Sequence, residues 1–310
     1  MDFKQLRALV TVAETGNVTR ASALLHLVQP AVSRQLRLLE EDMGTVLFER
    51  GRHGMELTEA GKTMVEYARR ILNEVARAKA EIRPSNGPIG GIVTIGLLPS
   101  TADLLSAALV TAVAASYPGI RLRLLVGYAG HLVDWLEHGE VDVALLYDQK
   151  QTSALQVKTL LEEPLWVVGP PSAGLRGKKP VELAQVVKHP FVLPSAPHGL
   201  RVLMEQAAAL MGLEFSVLAE TNDLSVQKKL VADGHGWTIL PTVAVADDVL
   251  RGVLSAAPLA EPALLRKIVL AAPTNRQGTP PVRCVVAALL ECMHAAVRQN
   301  KWAGARWVGE

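Results

Sequence analysis

An amide, a hydroxyl and two guanidinium groups fall on one face of a helix predicted near residues 29–43. They belong to Gln29, Ser33, Arg34 and Arg37. The opposite face is apolar at steps of four, three and four residues, with Val32, Leu36, Leu39 and Met43. Pro30 suits the first turn, where its missing N–H costs no helical hydrogen bond. In the major groove, Gln pairs with adenine and Arg with guanine or phosphate, so this face has the chemistry for reading DNA bases.

A shorter helix precedes this one and is expected to brace it across the DNA backbone. We predict Thr19 as its N-cap, with Ala21, Leu24 and Leu25 facing inward and Arg20 beside the phosphates. The alternative is an ordinary pair of surface helices with solvated charges. The residues that follow argue against that alternative.

A hairpin is predicted after the second helix, with a short strand over residues 46–48 and another over residues 55–57. Its tip carries cations, which are Arg50, Arg52 and His53. Such a wing beside two helices can place an arginine against a phosphate or in a narrow minor groove.

The first 85 or so residues resemble the winged helix-turn-helix of LysR-type transcriptional regulators. The resemblance rests on Phe3, Leu6, Ala21-Ser22, Leu25-His26, Gln29-Pro30-Ala31-Val32-Ser33-Arg34, Leu39-Glu40, Phe48-Glu49-Arg50 and Leu57-Thr58-x-Ala60-Gly61. Two positions depart from the family pattern. Ser22 stands where a second Ala is common, and Val28 replaces a Ser whose hydroxyl would cap the reading helix. We expect Arg34 and Thr19 to hold the DNA register instead.

The net charge is only +2, from 32 basic and 30 acidic residues. Residues 1–83 hold 13 Lys and Arg against 11 Asp and Glu, so the whole excess lies in the predicted DNA-binding part. Bulk charge alone does not indicate DNA binding. Affinity is expected from a few placed arginines and from dimerisation.

Other classes of site are not indicated. Cys284 and Cys292 are eight residues apart in a predicted helix, about 12 Å, which is too far for a disulfide and predicts buried thiols. No Cys or His pair has metal-ligand spacing, and no cofactor motif is found. The N-terminus does not resemble a signal peptide, and no apolar run approaches the ~18 residues that span a membrane. A cytoplasmic location is expected.

A long helix over residues 59–83 is predicted after the wing, with Thr58 as its N-cap. A repeat near 3.5 residues is formed by Ala60, Met64, Ala68, Ile71, Val75, Ala78 and Ile82. A seam of this length suits a coiled-coil dimer, and the alternative is a helix packed on its own domain. By resemblance it is the family's linker helix. Residues 84–91, rich in Pro and Gly, are predicted as a hinge.

The rest of the chain alternates strand and helix patterns, which indicates parallel sheets with crossover helices. We assign residues 92–161 and 267–300 to effector lobe I, residues 162–266 to lobe II, and residues 301–310 to a tail. This resembles the periplasmic-binding-protein-like effector domain of LysR-type regulators, and residues 96–102 with 144–147 resemble the nitrogen-assimilation-control subgroup. The predicted fold is therefore multidomain, α+β and α/β. It comprises a winged helix-turn-helix (1–58), a linker helix and a two-lobed α/β effector domain.

An effector cleft is expected at the carboxyl ends of the strands, where helix N-termini attract anions. The candidate residues are Pro99, Ser100, Thr101, Tyr128, Gly130, Tyr147, Ser195, His198 and Arg201. His198 and Arg201 favour an acidic ligand. The alternative for Ser100 and Thr101 is that one of them only caps its helix.

The sequence predicts a non-enzymatic regulator that binds double-stranded DNA at an interrupted inverted repeat and responds to a small, anionic effector. By resemblance it is expected to dimerise through the linker helix, to form a tetramer and to recruit RNA polymerase. One alternative is the same regulator without an effector. Another is a solute-binding protein or an enzyme, which would need a signal peptide or an activated nucleophile. Ser195 lacks the Gly-x-Ser-x-Gly context of such a nucleophile.

Overall fold

The computed structural model describes residues 1–51, 54–82, 89–260, 263–274 and 278–309, without the side chains of Arg50, Arg77 and residues 80–82. The chain divides into two compact units, one made mainly of Met1–Gly87 and one mainly of residues 88–310. The first unit contains α1 (Phe3–Thr15), α2 (Val18–Leu24), α3 (Gln29–Met43), β1 (Phe48–Gly51), β2 (Gly54–Leu57) and α4 (Glu59–Ile82).

The apolar face predicted for α3 packs in the core of the first unit, where Val32, Leu36 and Leu39 are buried together with Leu6 and Leu9 of α1. Met43 does not follow, because its side chain is 39% exposed. It is the last residue of α3, and Gly44 ends the helix in the left-handed conformation at φ +69°. The helix therefore stops where the periodic stripe would have continued.

Two expectations for α2 are wrong. Its N-cap is Asn17, whose side-chain oxygen accepts the N–H groups of Thr19 and Arg20 at 2.8 and 3.1 Å. Thr19 therefore lies inside the helix. Leu24 is 65% exposed rather than inward. Because α2 has only seven residues, only a small part of its surface faces the core. The buried residues of this helix are Ala21 and Ser22.

The hairpin is present, with β1 and β2 antiparallel and Phe48 opposite Leu57. Its first strand begins at Phe48, two residues later than predicted. The N-cap prediction for Thr58 is confirmed, since its hydroxyl accepts the N–H of Gly61 at 2.9 Å. The hydroxyl also donates to the carbonyl of Val46 at 2.8 Å, which joins the start of α4 to the chain that enters the hairpin.

The first half of α4 packs on its own domain. Val65 and Ala68 are buried in the same core as α1, and Met64 and Ile71 are partly buried there. Further along the helix, Ala78 is exposed. The alternative of intramolecular packing therefore applies to the first half of the predicted seam, whereas Ala78 lies outside that core.

The second unit begins with alternating strands and helices. Its elements are β3 (Gly90–Leu97), α5 (Pro99–Ser116), β4 (Gly119–Val126), α6 (Ala129–Glu137), β5 (Val143–Tyr147), β6 (Leu155–Gly169), α7 (Leu183–Val186), β7 (Pro190–Pro194), α8 (Gly199–Leu210), β8 (Ser216–Thr221), α9 (Leu224–Ala232), β9 (Thr238–Pro241), α10 (Thr242–Leu250), β10 (Ser255–Pro258), β11 (Leu265–Pro273), α11 (Pro280–Arg298) and β12 (Arg306–Trp307).

Strand β6 links two lobes. Its residues 155–164 pair with β11 in the sheet that also contains β5, β3 and β4, and its residues 165–168 pair with β9. Two separate hydrophobic cores lie on either side of this switch. Strand β11 and helix α11 belong to the first core, although they follow all of lobe II in the sequence. The two-lobed α/β fold class is thereby confirmed.

Helices α5 and α11 are long and apolar enough to pass for membrane spans by length and composition alone, unlike the sequence expectation. Both bury a face in the first core, with Leu105 and Leu109 on one helix and Val285 and Leu289 on the other. Core helices pass the same test. On α11 the two cysteines are free, as expected, but half-buried rather than buried.

The cap of α2 gives a stability test. We expect Asn17→Ala to lower the free energy of unfolding by about 1 kcal/mol, because two backbone N–H groups lose their acceptor. Thr19→Ala is the matched control and should change it by less than about 0.5 kcal/mol. Urea unfolding followed by circular dichroism measures both. A larger loss from Thr19→Ala than from Asn17→Ala would restore Thr19 as the cap.

Candidate functional site

The exposed face of α3 presents every polar residue predicted there. Gln29, Pro30, Ser33, Arg34 and Arg37 are all exposed, opposite the buried apolar stripe. The guanidinium of Arg37 lies 3.4 Å from the carboxylate of Glu41. Arg34 forms no ion pair with any described residue, so its charge is available to a partner.

The first turn of α3 leaves few backbone donors for a partner, since Pro30 has no N–H and the N–H of Ala31 donates to the carbonyl of Val28 at 3.0 Å. Its N-cap is Val28, which offers no side-chain cap, and Pro30 lies in the first turn as predicted. The partial positive charge of the helix N-terminus favours a phosphate at this end. Thr19 and Arg20 are exposed in the first turn of α2.

The wing is described only in part. Arg50 lies in β1, with its backbone opposite Met55. Its side chain, and both Arg52 and His53, lie outside what the structure describes.

A pocket that is open to solvent lies between the two lobes of the second unit and is lined by residues of both. Five of the predicted effector residues line it, namely Pro99, Ser100, Tyr128, Tyr147 and His198. The sequence did not single out the other lining residues as effector contacts, and these are Leu98, Pro194, Leu200, Leu224, Gln227, Leu240, Pro241 and Arg266. The walls are therefore mainly apolar with a few polar groups, as is usual for small-molecule sites.

The remaining four predicted residues do not line this pocket. Thr101 is fully buried and donates to the carbonyl of Leu98 at 3.0 Å, so its hydroxyl serves its own helix. Gly130 is exposed within α6. Ser195 is joined to Thr221 through its backbone N–H.

Arg201 is the fourth predicted residue outside the pocket lining, and its guanidinium is already ion-paired within the protein. It pairs with Glu205 at 2.7 Å and with Glu220 at 2.6 Å, and both carboxylates raise its pKa. The expectation that Arg201 faces an acidic ligand does not fit this geometry, because i,i+4 spacing within α8 places Glu205 beside it.

The cation in the pocket wall is Arg266. It is 4% exposed, and its Nε donates to Glu163, which is fully buried. Its Nη2 donates to the Ser100 hydroxyl at 2.8 Å, and its guanidinium lies 5.3 Å from the centre of the Tyr147 ring. Arg266 alternates in phase with buried Ile268 along β11. This alternation shows that Arg266 faces inward. The strand predicted from the sequence begins only at Lys267, so Arg266 is not included in it.

His198 is a neutral group in this pocket. Both ring nitrogens are buried and have no hydrogen-bond partner among the described residues. Burial, and secondarily the charge of Arg266, lowers the pKa of His198 to about 4. Near pH 7 it therefore offers one donor and one acceptor rather than the positive charge that the sequence suggested.

Two tyrosines flank His198, with ring centres 4.9 Å away for Tyr128 and 5.9 Å away for Tyr147. Burial raises the pKa of both phenols, which keeps them protonated. Gly199 allows the close approach of Tyr147, since a Cβ there would lie 2.7 Å from the ring.

Four helices begin at the pocket wall. The lining includes the first two residues of α5, the N-cap His198 of α8, the first residue of α9 and the N-cap Pro241 of α10. The N-cap residues of α5, α8 and α10 make no side-chain capping hydrogen bond, whereas the carboxylate of Asp223 caps α9 by accepting from the N–H groups of Ser225 and Val226. The N-termini of α5, α8 and α10 add partial positive charge that favours an anion, whereas the carboxylate of Asp223 offsets the partial charge of α9.

No group of three or more His, Cys, Asp or Glu residues suited to a metal ion occurs in the described part of the chain.

Comparison with known proteins covers both units. A family model described as "LysR substrate binding domain" matches residues 86–293, and one described as "Bacterial regulatory helix-turn-helix protein, lysR family" matches residues 3–62. The chain is 29% identical over 306 residues to the transcriptional regulator BbuR of Bordetella bronchiseptica, which covers 98% of this chain and 94% of that protein. It is 26% identical to the nitrogen assimilation regulatory protein nac of Escherichia coli, over 97% of this chain and 98% of that protein.

A solved structure of full-length CbnR complexed with its target DNA is similar at a TM-score of 0.70 and 24% identity, covering 96% of this chain and 100% of that one. At this identity the likeness concerns the fold.

The pKa of His198 can be tested directly. Its ring resonances, assigned by their loss in His198→Asn, should titrate with a midpoint of about 4. Because the folded pKa lies below the unfolded value, the unfolded state takes up the proton first as the pH falls from about 6.5 to 4. Stability should fall through that window, by at most about 1.4 kcal/mol per pH unit for one group.

His198→Asn should lose this part of the pH dependence of urea unfolding, and His26→Asn, which changes an exposed histidine of the first unit, should keep it. A His198 midpoint near the ordinary histidine value would contradict the assignment.

Proposed function

This chain belongs to the LysR family of bacterial transcriptional regulators, and from that premise we propose that α3 reads DNA bases and that the pocket binds a small anionic effector. Members of the family are DNA-binding regulators with an effector-binding domain, and they are not enzymes.

The exposed face of α3 is the observation that carries DNA reading. Gln29, Ser33, Arg34 and Arg37 project from one side while the other side is buried, so the helix can enter a major groove without losing its own packing. Arg34 is the strongest candidate for a base contact because no described carboxylate competes for it. Thr19, Arg20 and the first turn of α3 are assigned to phosphates, and Arg50, Arg52 and His53 to the wing contact.

We further propose dimers that pair through the part of α4 beyond the buried Ala68, and tetramers through the effector domains. Two reading helices related by a two-fold axis would contact half-sites about 34 Å apart, or a multiple of that spacing, in an interrupted inverted repeat. Contact with RNA polymerase at the promoter, in the cytoplasm, completes the proposal.

The effector is proposed to be a small apolar molecule with one carboxylate or a similar anionic group. The N-termini of α5, α8 and α10 supply most of the positive potential, with a smaller part from Arg266, which is paired with Glu163, and Ser100 and His198 supply hydrogen bonds. The leucines and prolines of the wall suit an apolar body. Of the residues predicted from sequence, Thr101, Gly130, Ser195 and Arg201 are left out of this site.

DNA reading is tested with Arg34→Ala. If Arg34 contacts a base, the variant should lose ~1–3 kcal/mol of binding to a selected duplex and lose specificity at one position; a phosphate contact would weaken all sequences alike. The duplex is selected from random sequence at about 150 mM salt, and affinities follow from fluorescence anisotropy.

Arg7→Ala, at an exposed arginine on α1, is the matched control and should bind like the parent. Equal binding by Arg34→Ala and the parent, with both folded, would remove α3 from the reading role.

The effector pocket is tested with two serines. Ser100→Ala should weaken anion binding about two- to tenfold, because one hydrogen bond contributes about 0.5–1.5 kcal/mol. Ser195→Ala, outside the pocket lining, is the matched control and should bind like the parent. Sodium benzoate, with one carboxylate on an apolar ring, is a suitable probe for calorimetry. Equal effects of the two substitutions would place the anion elsewhere.

A further inference from the structure

Trp302 lies in the segment that follows α11, and only 1% of its surface is exposed. Its indole N–H donates to Oε2 of Glu163 at 2.7 Å. Glu163 is fully buried and stands on the strand that links the two lobes. From the sequence alone, residues 301–310 are predicted as a C-terminal tail.

The same carboxylate holds the cation of the pocket. Its Oε1 accepts from Nε of Arg266, whose Nη2 donates to Ser100 in the pocket wall. A continuous chain of hydrogen bonds thus runs from Trp302 through Glu163 and Arg266 to Ser100. Each Glu163 oxygen has a different partner, so the indole and the guanidinium share the carboxylate.

The segment around Trp302 is fixed to both lobes. On the side of the first core, β12 pairs with Leu161 and Glu162 of β6, and Gly304 packs against Pro164. On the other side, the hydroxyl of Thr242 donates to the carbonyl of Ala303 at 2.5 Å. Thr242 is the first residue of α10, and the N-cap of that helix lines the pocket.

We propose that Trp302 is a positioning residue for the effector pocket, which sets the orientation of Arg266 by holding one oxygen of Glu163. The inference rests on the proposed effector function of that pocket. Without the indole, the second carboxylate oxygen is free to turn to Arg266, because a buried oxygen without a donor is costly. The guanidinium would then be drawn away from Ser100 and from a bound anion. The segment after α11 thereby controls the pocket without touching the ligand.

The test compares Trp302→Phe with Trp307→Phe in the full-length protein. Both changes remove an indole N–H from the same segment, but the indole of Trp307 donates to the carbonyl of Gly309 and is not part of the Glu163 network. The first measurement is the Nε–H signal of Arg266 in protein labelled with ¹⁵N-arginine, assigned by its loss in Arg266→Lys. The signal should move in Trp302→Phe and keep its position in Trp307→Phe.

The second measurement is the affinity for sodium benzoate by calorimetry. It should fall about fivefold in Trp302→Phe and stay unchanged in Trp307→Phe, whatever the two variants do to the melting temperature. If Trp302→Phe does not fold, β-(3-benzothienyl)alanine at position 302 keeps the ring shape and removes only the N–H, and it should give the same two results.

An Arg266 signal that is unmoved in the position-302 variants, or moved equally in Trp307→Phe, would overturn the inference. So would an unchanged benzoate affinity in those variants when the parent binds benzoate. A parent that binds no benzoate would instead contradict the anion pocket of the proposed function, and the Arg266 signal, which needs no ligand, would still decide whether Trp302 positions that side chain.

Discussion

The buried pair of Glu163 and Arg266 is the constraint on which the second unit depends. The two residues are direct partners on β6 and β11, next to the point where both strands leave lobe I. Removing two charges from water costs several kcal/mol per ion, and their attraction offsets this only when the other hydrogen-bonding groups are satisfied. Trp302 and Ser100 supply those partners. A slip of either strand would leave a charge buried alone, so the pair fixes the register of the two strands where the lobes join.

The DNA-binding unit was predictable because its information is local. The apolar period of α3, the cap at Thr58 and the hairpin are each set by residues within about a dozen positions. The errors were local as well. Asn17 competes with Thr19 as an N-cap, and both residue types are good caps, so propensity alone does not choose between them. The prediction that Met43 is buried was wrong because Gly44 ends the helix there. A helix-ending glycine determines where the apolar face stops, even if the apolar spacing continues in the sequence.

Only some of the residues that line the pocket could be predicted from the sequence, for a physical reason. Strand ends and helix starts in lobe I placed Ser100, Tyr128 and Tyr147 correctly at the pocket wall, since crossover topology dictates where they meet. Arg266 comes from a strand 166 residues after its partner Ser100. No local pattern reports such a pairing. Arg201 is the opposite kind of error. The sequence predicted that its positive charge would face an acidic ligand, but Glu205 and Glu220 neutralise that charge.

The distribution of charge determines how the pocket would attract the proposed anion. His198 is neutral, the two phenols are protonated and the charge of Arg266 is balanced by Glu163, so little free side-chain charge faces the pocket. The positive potential then comes chiefly from the starts of α5, α8 and α10, which are fixed in direction and do not titrate, because the carboxylate of Asp223 offsets the start of α9. A partial charge of about one half at each helix end is weaker than one unpaired arginine, and it is spread over the pocket. Affinity in such a site depends on how closely an anion fits all of the helix ends at once. Any shift of one lobe against the other would change that fit, and an anion that is bound at all of them favours one lobe arrangement over another.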